Sequence, residues 1–135
     1  MTRFELVLVK PSHYDDDGYL IQWLRSAIPS NTLAVMNGLA LDAKSRRLLG
    51  DNVEIHISAC DETNTRFRVD KIARRLAKLE KKGARSLVAL VGVQSNQYPR
   101  ALDLARKLRA ANVQVAIGGF HVSGCLAMLP AITPE

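Results

Sequence analysis

The chain is poor in several residue types, and each shortage excludes a class of protein. Its 135 residues include two cysteines, Cys60 and Cys125, which share no CxxC or CxH spacing. A disulfide framework and a zinc site are therefore not expected, and two cysteines alone cannot ligate an iron–sulfur cluster. We expect both to be small, buried or half-buried residues near strand ends. Aromatic residues make up 5% of the chain, and no apolar run approaches the ~20 residues that span a bilayer.

Common motifs for catalysis and nucleotide binding are missing as well. No GxGxxG follows the first apolar run, and the chain contains neither GxxxxGKS/T nor HExxH nor GxSxG. The histidines His13, His56 and His121 have no spacing typical of metal ligands, and we interpret His56 as a structural residue within a strand. A phosphorylation pocket of the response-regulator kind is disfavoured, because an apolar strand leads to Gln94 where an acceptor aspartate would be needed. We predict no metal site and no catalytic residue.

Lysine and arginine outnumber acidic residues by 19 to 13, which gives a formal net charge of +6. The excess is concentrated between Arg66 and Arg85, where helical spacing accounts for most of it. Apolar residues at three- and four-residue intervals form one stripe there: Val69, Ile72, Leu76 and Leu79. We interpret the basic residues on the other faces as a solvated helix surface and not as a phosphate-binding surface. They offer no aromatic stacking platform, so no nucleic-acid partner is expected.

Short apolar runs alternate with amphipathic stretches along the whole chain. Four strands are predicted, over Phe4–Lys10, Asn52–Ser58, Ser86–Val93 and Val113–Ile117. Helices are predicted over Thr32–Leu48 (capped by Ser30 or Asn31 and ended by Gly50), over Val69–Lys82, and from Gly124 to Leu129. A further helix is predicted between the last two, capped by Ser95 or Asn96, with Pro99 in its first turn and Asn112 as its stop. This alternation implies a parallel sheet with right-handed crossovers. We predict an α/β fold, a Rossmann-like (flavodoxin-like) three-layer α/β/α sandwich with strand order 2-1-3-4.

Two stretches are expected to depart from this regular pattern. Pro11–Pro29 is too long for an ordinary connection, and we interpret it as a partly ordered lid with a short helix over Tyr19–Ile28. Four strands followed by the start of a helix look incomplete, because doubly wound sheets usually carry a fifth strand. We therefore expect residues 1–135 to be one domain, truncated before a fifth strand. The amino-terminal residues lack signal-peptide architecture, so a cytoplasmic protein without membrane contact is expected.

The polar segments that follow the strands should meet at one edge of the sheet. Val113–Ile117 is a continuous apolar run, typical of a strand covered on both faces, and it leads into Gly118 and Gly119. Paired glycines permit backbone angles and a close ligand approach that a Cβ would forbid. Ligands of open α/β sheets bind outside the carboxyl ends of the strands. We therefore predict a ligand site at this edge, with Gly118–Gly124 as a short polar loop.

Five stretches carry a resemblance to a known family. They are Leu6–Pro11, Pro29–Ala34, Asp61, Leu90–Ser95 and Ala116–Ser123. Through them, from Phe4 to Leu129, the chain resembles the amino-terminal cobalamin-binding domain that precedes the radical S-adenosylmethionine (radical SAM) barrel in many radical enzymes. The family's recurring signature, GG-x-H after the fourth strand, is matched by Gly118, Gly119 and His121.

The resemblance implies a cofactor site at the strand ends. Cobalamin would be bound through Pro11, Ser12, His13, Asp61, Gln94, Ser95, Asn96, Gly118, Gly119, Phe120, His121 and Val122. Cobalamin-dependent mutases use a DxHxxG loop, whereas Pro11 and Asp16 stand here where that motif has Asp and Gly around its histidine. We therefore expect cobalamin to bind base-off, without a histidine ligand from His13.

The resemblance also implies a larger parent enzyme. S-adenosylmethionine and an iron–sulfur cluster would belong to a downstream radical SAM domain, the expected partner, because no CxxxCxxC loop occurs in this sequence. The present stretch should have no activity by itself. Two alternatives stay open. One is a stand-alone flavodoxin-like protein that binds a nucleotide or phosphorylated ligand at the same strand ends, and the other is a docking domain that has kept the fold without the cofactor.

Overall fold

The computed structural model describes residues 1–23 and 30–129, in which four strands alternate with four helices. The strands are β1 (Thr2–Lys10), β2 (Val53–Asp61), β3 (Arg85–Leu90) and β4 (Val115–Ile117). The helices are α1 (Asn31–Ser45), α2 (Val69–Lys81), α3 (Tyr98–Ala110) and α4 (Phe120–Met128). None of the helices in these two ranges is long and apolar enough to cross a membrane.

The four strands form one parallel sheet in the order β2-β1-β3-β4, which confirms the predicted Rossmann-like, flavodoxin-like α/β fold. β1 is central, because it pairs with β2 over residues 2–10 and with β3 over residues 4–9. β2 lies on one side of β1, whereas β3 and β4 follow on the other side. The direction in which strands are added to the sheet therefore reverses between β1 and β3. This reversal places the loops after β1 and β3 side by side at the carboxyl edge.

One face of the sheet, called here the packed face, is covered by α2 and α3. Its core is built from Val7 and Val9 of β1, Val88 and Leu90 of β3, Ala73 and Leu76 of α2, and Leu104 and Leu108 of α3. Leu76, Leu104 and Leu108 have no exposed surface. The apolar stripe predicted for α2 is confirmed, since its buried residues recur at helical spacing toward the sheet.

The opposite face, called here the open face, has a much smaller core. Its buried residues are Leu8, Ala40 and Val91, and α1 packs there against β1 and β2. Ala40 is the only residue of α1 that is buried, and Met36 is exposed. Val35 and Leu39, on the outer side of this helix, are 51% and 59% exposed. α1 therefore carries apolar residues on its outer side as well as toward the sheet.

The last strand and helix differ from the prediction in two ways. β4 has only three residues and lies at the edge of the sheet, so Ala116 is exposed and the strand is not covered on both faces. α4 begins at Phe120 and not at Gly124, which reduces the predicted polar loop to Gly118 and Gly119. The φ angle of Gly119 is 137°, and this left-handed conformation turns the chain directly from the strand into the helix.

The boundaries of α1 and β2 also differ from the prediction. Ser30 is confirmed as the N-cap of α1, since its Oγ accepts a hydrogen bond from the Leu33 amide at 3.2 Å. The helix ends at Ser45, so the residue after its C-cap is Arg47 (φ 53°) and not Gly50, which takes its own positive φ of 102° in the turn that follows. β2 continues to Asp61 because that residue still pairs with Lys10 of β1.

Residues 12–22 fold back across the end of β1 and are called here the strap. Tyr14 and Leu20 form an antiparallel bridge, and the Asp15 carboxylate accepts hydrogen bonds from two amides inside the turn. Residues 19–23 are not helical, so the predicted helix over Tyr19–Ile28 is wrong for this part. Its remainder, residues 24–28, lies outside the described ranges. The strap is a closed turn held by its own hydrogen bonds.

Candidate functional site at the carboxyl edge

Lys10 joins the end of β1 to residues 91–97, which follow β3 and are called here the β3 loop. Its Nζ donates hydrogen bonds to the Gly92 carbonyl at 2.8 Å and to the Gln97 Oε1 at 2.6 Å. The same Gln97 oxygen accepts a hydrogen bond from the Gln94 amide at 3.0 Å. Burial lowers the pKa of Lys10, while the negative charge of Asp61 opposes this shift. The side chain therefore fixes the β3 loop in position.

Gly118 and Gly119, which follow β4, have different structural roles. A Cβ on Gly119 would collide with the backbone nitrogen and oxygen of Val93, so this position requires glycine for contact between two backbone segments. The contact is tightened because Val93 donates to the Gly118 carbonyl at 2.9 Å and accepts from the His121 amide at 3.2 Å. Gly118 is exposed, and a Cβ there would meet no atom within 4 Å. The space above Gly118 is therefore open to a ligand.

His121, at the start of α4, is held between two neighbours from the β3 loop and α3. Its Nδ1 lies 3.1 Å from the Ser95 Oγ, and its ring centroid is 4.2 Å from that of Tyr98. Its Nε2 lies 3.7 Å from the Cys125 Sγ, one turn further along α4. Cys125 is thus half-buried, as expected, but it lies within α4, so the expectation that it lies near a strand end is wrong. The four-residue spacing of His121 and Cys125 was the available signal for their contact.

Hydrogen bonds within the strap engage the polar groups that follow β1. Pro11 and Ser12 are buried, and the Ser12 Oγ donates a hydrogen bond to the Ile21 carbonyl at 2.5 Å. The Ser12 amide donates to the Glu62 Oε1 at 3.2 Å, and the His13 carbonyl accepts from the Ile21 amide. His13 is half-buried. With the strap closed, the amide and the hydroxyl of Ser12 both have hydrogen-bond partners within the protein.

A buried ion pair lies beneath the strap. Glu62 has no exposed surface, and Arg100 of α3 donates to its two carboxylate oxygens at 3.0 and 2.7 Å. Arg100 also donates to the Tyr14 hydroxyl at 3.2 Å, and that hydroxyl donates to Asp103 at 2.5 Å. These contacts raise the pKa of Arg100 above its usual value, chiefly through the hydrogen bonds to Glu62. The prediction missed Arg100 and Tyr14, because no local spacing relates them to Glu62.

Asp61, at the end of β2, organises its own turn. One of its carboxylate oxygens accepts hydrogen bonds from the Thr63 amide at 3.0 Å and from the Thr63 hydroxyl at 2.6 Å. Asp61 and Glu62 also act on the thiol of Cys60, which is half-buried near the end of β2, as expected. Burial first, and then these two carboxylates, raise the pKa of Cys60 to about 11. The environment of Cys60 therefore favours the neutral thiol over the thiolate.

The structure separates the predicted site residues into groups. Gln94, Ser95, Gly118, Gly119 and His121 lie together between the ends of β3 and β4. Asn96 is exposed in the same loop, Val122 is half-buried, and the Phe120 side chain is 84% exposed. Pro11, Ser12 and His13 follow β1, and Asp61 is at the end of β2. β1 separates β2 from β3 and β4, so Asp61 is further from the first group. The predicted site residues with exposed side chains are thus those that follow β3 and β4.

Among the residues that the structure describes, no three His, Cys, Asp or Glu side chains are grouped so that they could hold a metal ion. The exposed polar side chains after β3 are the amides of Gln94 and Asn96 and the hydroxyl of Ser95, which suit hydrogen bonding to an organic ligand. Comparison with protein-family models, with curated proteins and with solved structures finds no match to this chain. The site is therefore interpreted from its own residues.

Proposed function

We propose that this chain is the cobalamin-binding module of a radical SAM enzyme. The proposal rests on the resemblance carried by Gly118, Gly119 and His121 and on one structural observation. That observation is the open space above Gly118, next to the backbone of Val93, which a side chain at this position would occupy. A flat cofactor with a long polar tail needs such a side-chain-free edge, where the backbone itself can be approached.

The residues at this edge are compatible with the cofactor. Gln94, Ser95 and Asn96 are exposed and would donate and accept hydrogen bonds along its tail, while His121 would bound the other side. Bound cobalamin would supply a cobalt centre, whose chemistry is completed by S-adenosylmethionine and an iron–sulfur cluster in a downstream radical SAM domain. In this proposal the present chain only binds and orients the cofactor.

The corrin would bind base-off without a histidine ligand. His13 lacks the flanking Asp and Gly of the DxHxxG motif, and its backbone is tied to Ile21 within the closed strap. A His13→Ala variant should therefore bind cobalamin with an unchanged absorption spectrum. A spectral change in this variant would show that His13 is a cobalt ligand.

The test is a titration of the purified chain with hydroxocobalamin, followed by absorption spectroscopy and calorimetry. Gly118→Leu should weaken binding at least tenfold, because its side chain would occupy the open space. Gly124→Leu is the matched control, since Gly124 is exposed on α4 and an added Cβ would likewise meet no atom within 4 Å. No binding at high micromolar cobalamin, or equal weakening by both variants, would overturn the proposal.

A second candidate, a docking domain without the cofactor, is favoured by the surface of α4. Phe120, Leu126 and Met128 of this helix are 80–84% exposed, which is unusual for large apolar side chains on a monomer. A chain that folds normally, binds no cobalamin and loses association with the downstream domain when Leu126 is changed to Glu would support this candidate over the first.

A further inference from the structure

A cleft of about 500 Å³ lies between the start of α2 and the middle of α3, away from the β3–β4 edge. This volume is within the range typical of sites for small molecules. Its lining includes five cationic side chains with exposed surface: Arg66, Arg68, Lys71, Arg74 and Lys107. They come from the loop before α2, from α2 itself and from α3, so the fold converges them from three segments.

These five charges are not compensated inside the described part of the chain. Arg100, which also lines the cleft, is paired with the buried Glu62, but none of the five forms an ion pair with a described residue. The remaining carboxylate in the lining is Asp70. Five cations against one carboxylate leave a net charge of +4 around a concave surface. Like charges converging in a cleft raise its local positive potential and attract anions.

The backbone at the start of α2 adds to this potential. The cap residue, Arg68, provides no side-chain hydrogen bond to the first turn. The Val69 amide donates to the Phe67 carbonyl, and the first i→i−4 bond runs from the Ile72 amide to Arg68. The amides of Asp70 and Lys71 lie between them and have no intrahelical acceptor. Both residues line the cleft, where the positive end of the helix dipole favours an anion.

We propose that this cleft binds a small phosphorylated molecule through a diphosphate group. A terminal diphosphate group carries about −2 to −3 charges at neutral pH, which the positive charge of the lining is large enough to balance. The three arginines can each donate two parallel hydrogen bonds to phosphate oxygens, a geometry that lysine cannot reproduce. A nucleic acid fits the cleft less well, because Phe67 is buried and no exposed aromatic side chain lines it for stacking.

The experiment measures binding of sodium pyrophosphate to the whole chain by calorimetry at constant ionic strength. Lys71→Gln/Lys107→Gln removes two charges from the cleft and should weaken binding at least tenfold. The control variant Lys78→Gln/Lys82→Gln also removes two positive charges, from α2 and from the residue that follows it, but outside the cleft lining. It should change binding less than twofold. All four side chains are exposed, so both variants should fold, and circular dichroism checks this. In amide NMR spectra, pyrophosphate should shift Asp70 and Lys71 most.

Three results would overturn the proposal. Equal weakening by the two double variants would show a diffuse electrostatic effect of a solvated helix surface. The absence of pyrophosphate binding at millimolar concentration would remove the site. Tighter binding of a single-stranded RNA oligonucleotide than of pyrophosphate, lost equally in both variants, would assign the surface to nucleic acid. The outcome is separable from that of the cobalamin proposal, because Gly118→Leu should leave pyrophosphate binding unchanged.

Discussion

The two faces of the sheet differ in how completely they are covered. On the packed face, α2 and α3 bury thirteen apolar residues in one continuous core. On the open face, α1 covers β1 and β2, and three apolar residues form the buried core. The same helix leaves Val35 and Leu39 exposed, although both are apolar. The packed face therefore supplies most of the stability, and the open face supplies apolar surface that is available for contacts.

The largest expected effect comes from a matched pair of leucines. Leu104→Ala on the packed face should lower the free energy of unfolding by about 3–4 kcal/mol, because a fully buried leucine leaves a cavity. Leu39→Ala on α1 should lower it by less than about 0.5 kcal/mol, because 59% of that residue is exposed. Urea unfolding followed by circular dichroism measures both. Equal losses would contradict the proposed difference between the faces.

A second pair compares ion pairs. Glu62→Gln should cost about 3 kcal/mol, because it leaves the positive charge of Arg100 buried without its partner. Asp42→Asn on α1 breaks an ion pair with Arg46 whose two side chains are 54% and 65% exposed. Its cost should stay below about 0.5 kcal/mol. The same unfolding assay applies, and a cost under about 1 kcal/mol for Glu62→Gln would show that the buried pair does not stabilise the strap and α3.

The packed face should also show a pH effect at Cys60. Its pKa of about 11 in the folded state lies above the value of 9.0 for a free thiol. A raised pKa means that the neutral thiol contributes stability that is fully present below pH 9 and is lost as the pH rises toward 11. Near pH 9 the folded chain should hold roughly fifty-fold less Cys60 thiolate than the unfolded chain.

Iodoacetamide labelling with peptide mass spectrometry measures this difference for Cys60 in the native chain and in denaturant. Cys125 is labelled in the same samples and reports on reagent activity. Equal labelling rates of Cys60 with and without denaturant would contradict the raised pKa.

The smallest expected effect is on the open face. The double variant Val35→Lys/Leu39→Lys should change the free energy of unfolding by no more than about 0.5 kcal/mol, since both positions are exposed. It should reduce the fluorescence of a bound apolar dye, because it removes apolar surface from α1. A loss above 1.5 kcal/mol, measured by urea unfolding, would show that these side chains belong to a core.

Much of the fold could be predicted from the sequence because its elements are locally consistent. The apolar run Phe4–Lys10 predicts a strand, and the helical spacing of apolar residues from Val69 to Leu79 predicts a helix. Ser30 is a residue type that caps helices, and it stands where α1 begins. The start of α4 could not be predicted in this way. Residues 120–124 are weak helix formers, and the helix begins there because the His121 amide bonds to Val93, a contact made by the tertiary structure.

The site was predicted only in part for the same reason. The meeting of the loops after β3 and β4 follows from topology alone, so Ser95 and His121 could be expected near each other. The pair Glu62–Arg100 and the cationic cleft depend on residues that are separated by tens of positions. No periodic pattern relates such residues, since the packing of α2 against α3 decides their distance.

The strap has a consequence for the rate of ligand binding. Its hydrogen bonds from Ser12 to Ile21 and from Ile21 to His13 keep the end of β1 covered. A ligand that contacts Ser12 must wait until these bonds open, whereas one that contacts only Gly118 need not wait. The observed association rate of the first would reach a plateau at high ligand concentration, set by the opening of the turn. The binding kinetics of a ligand that contacts Ser12 would thus report on the opening of residues 12–22.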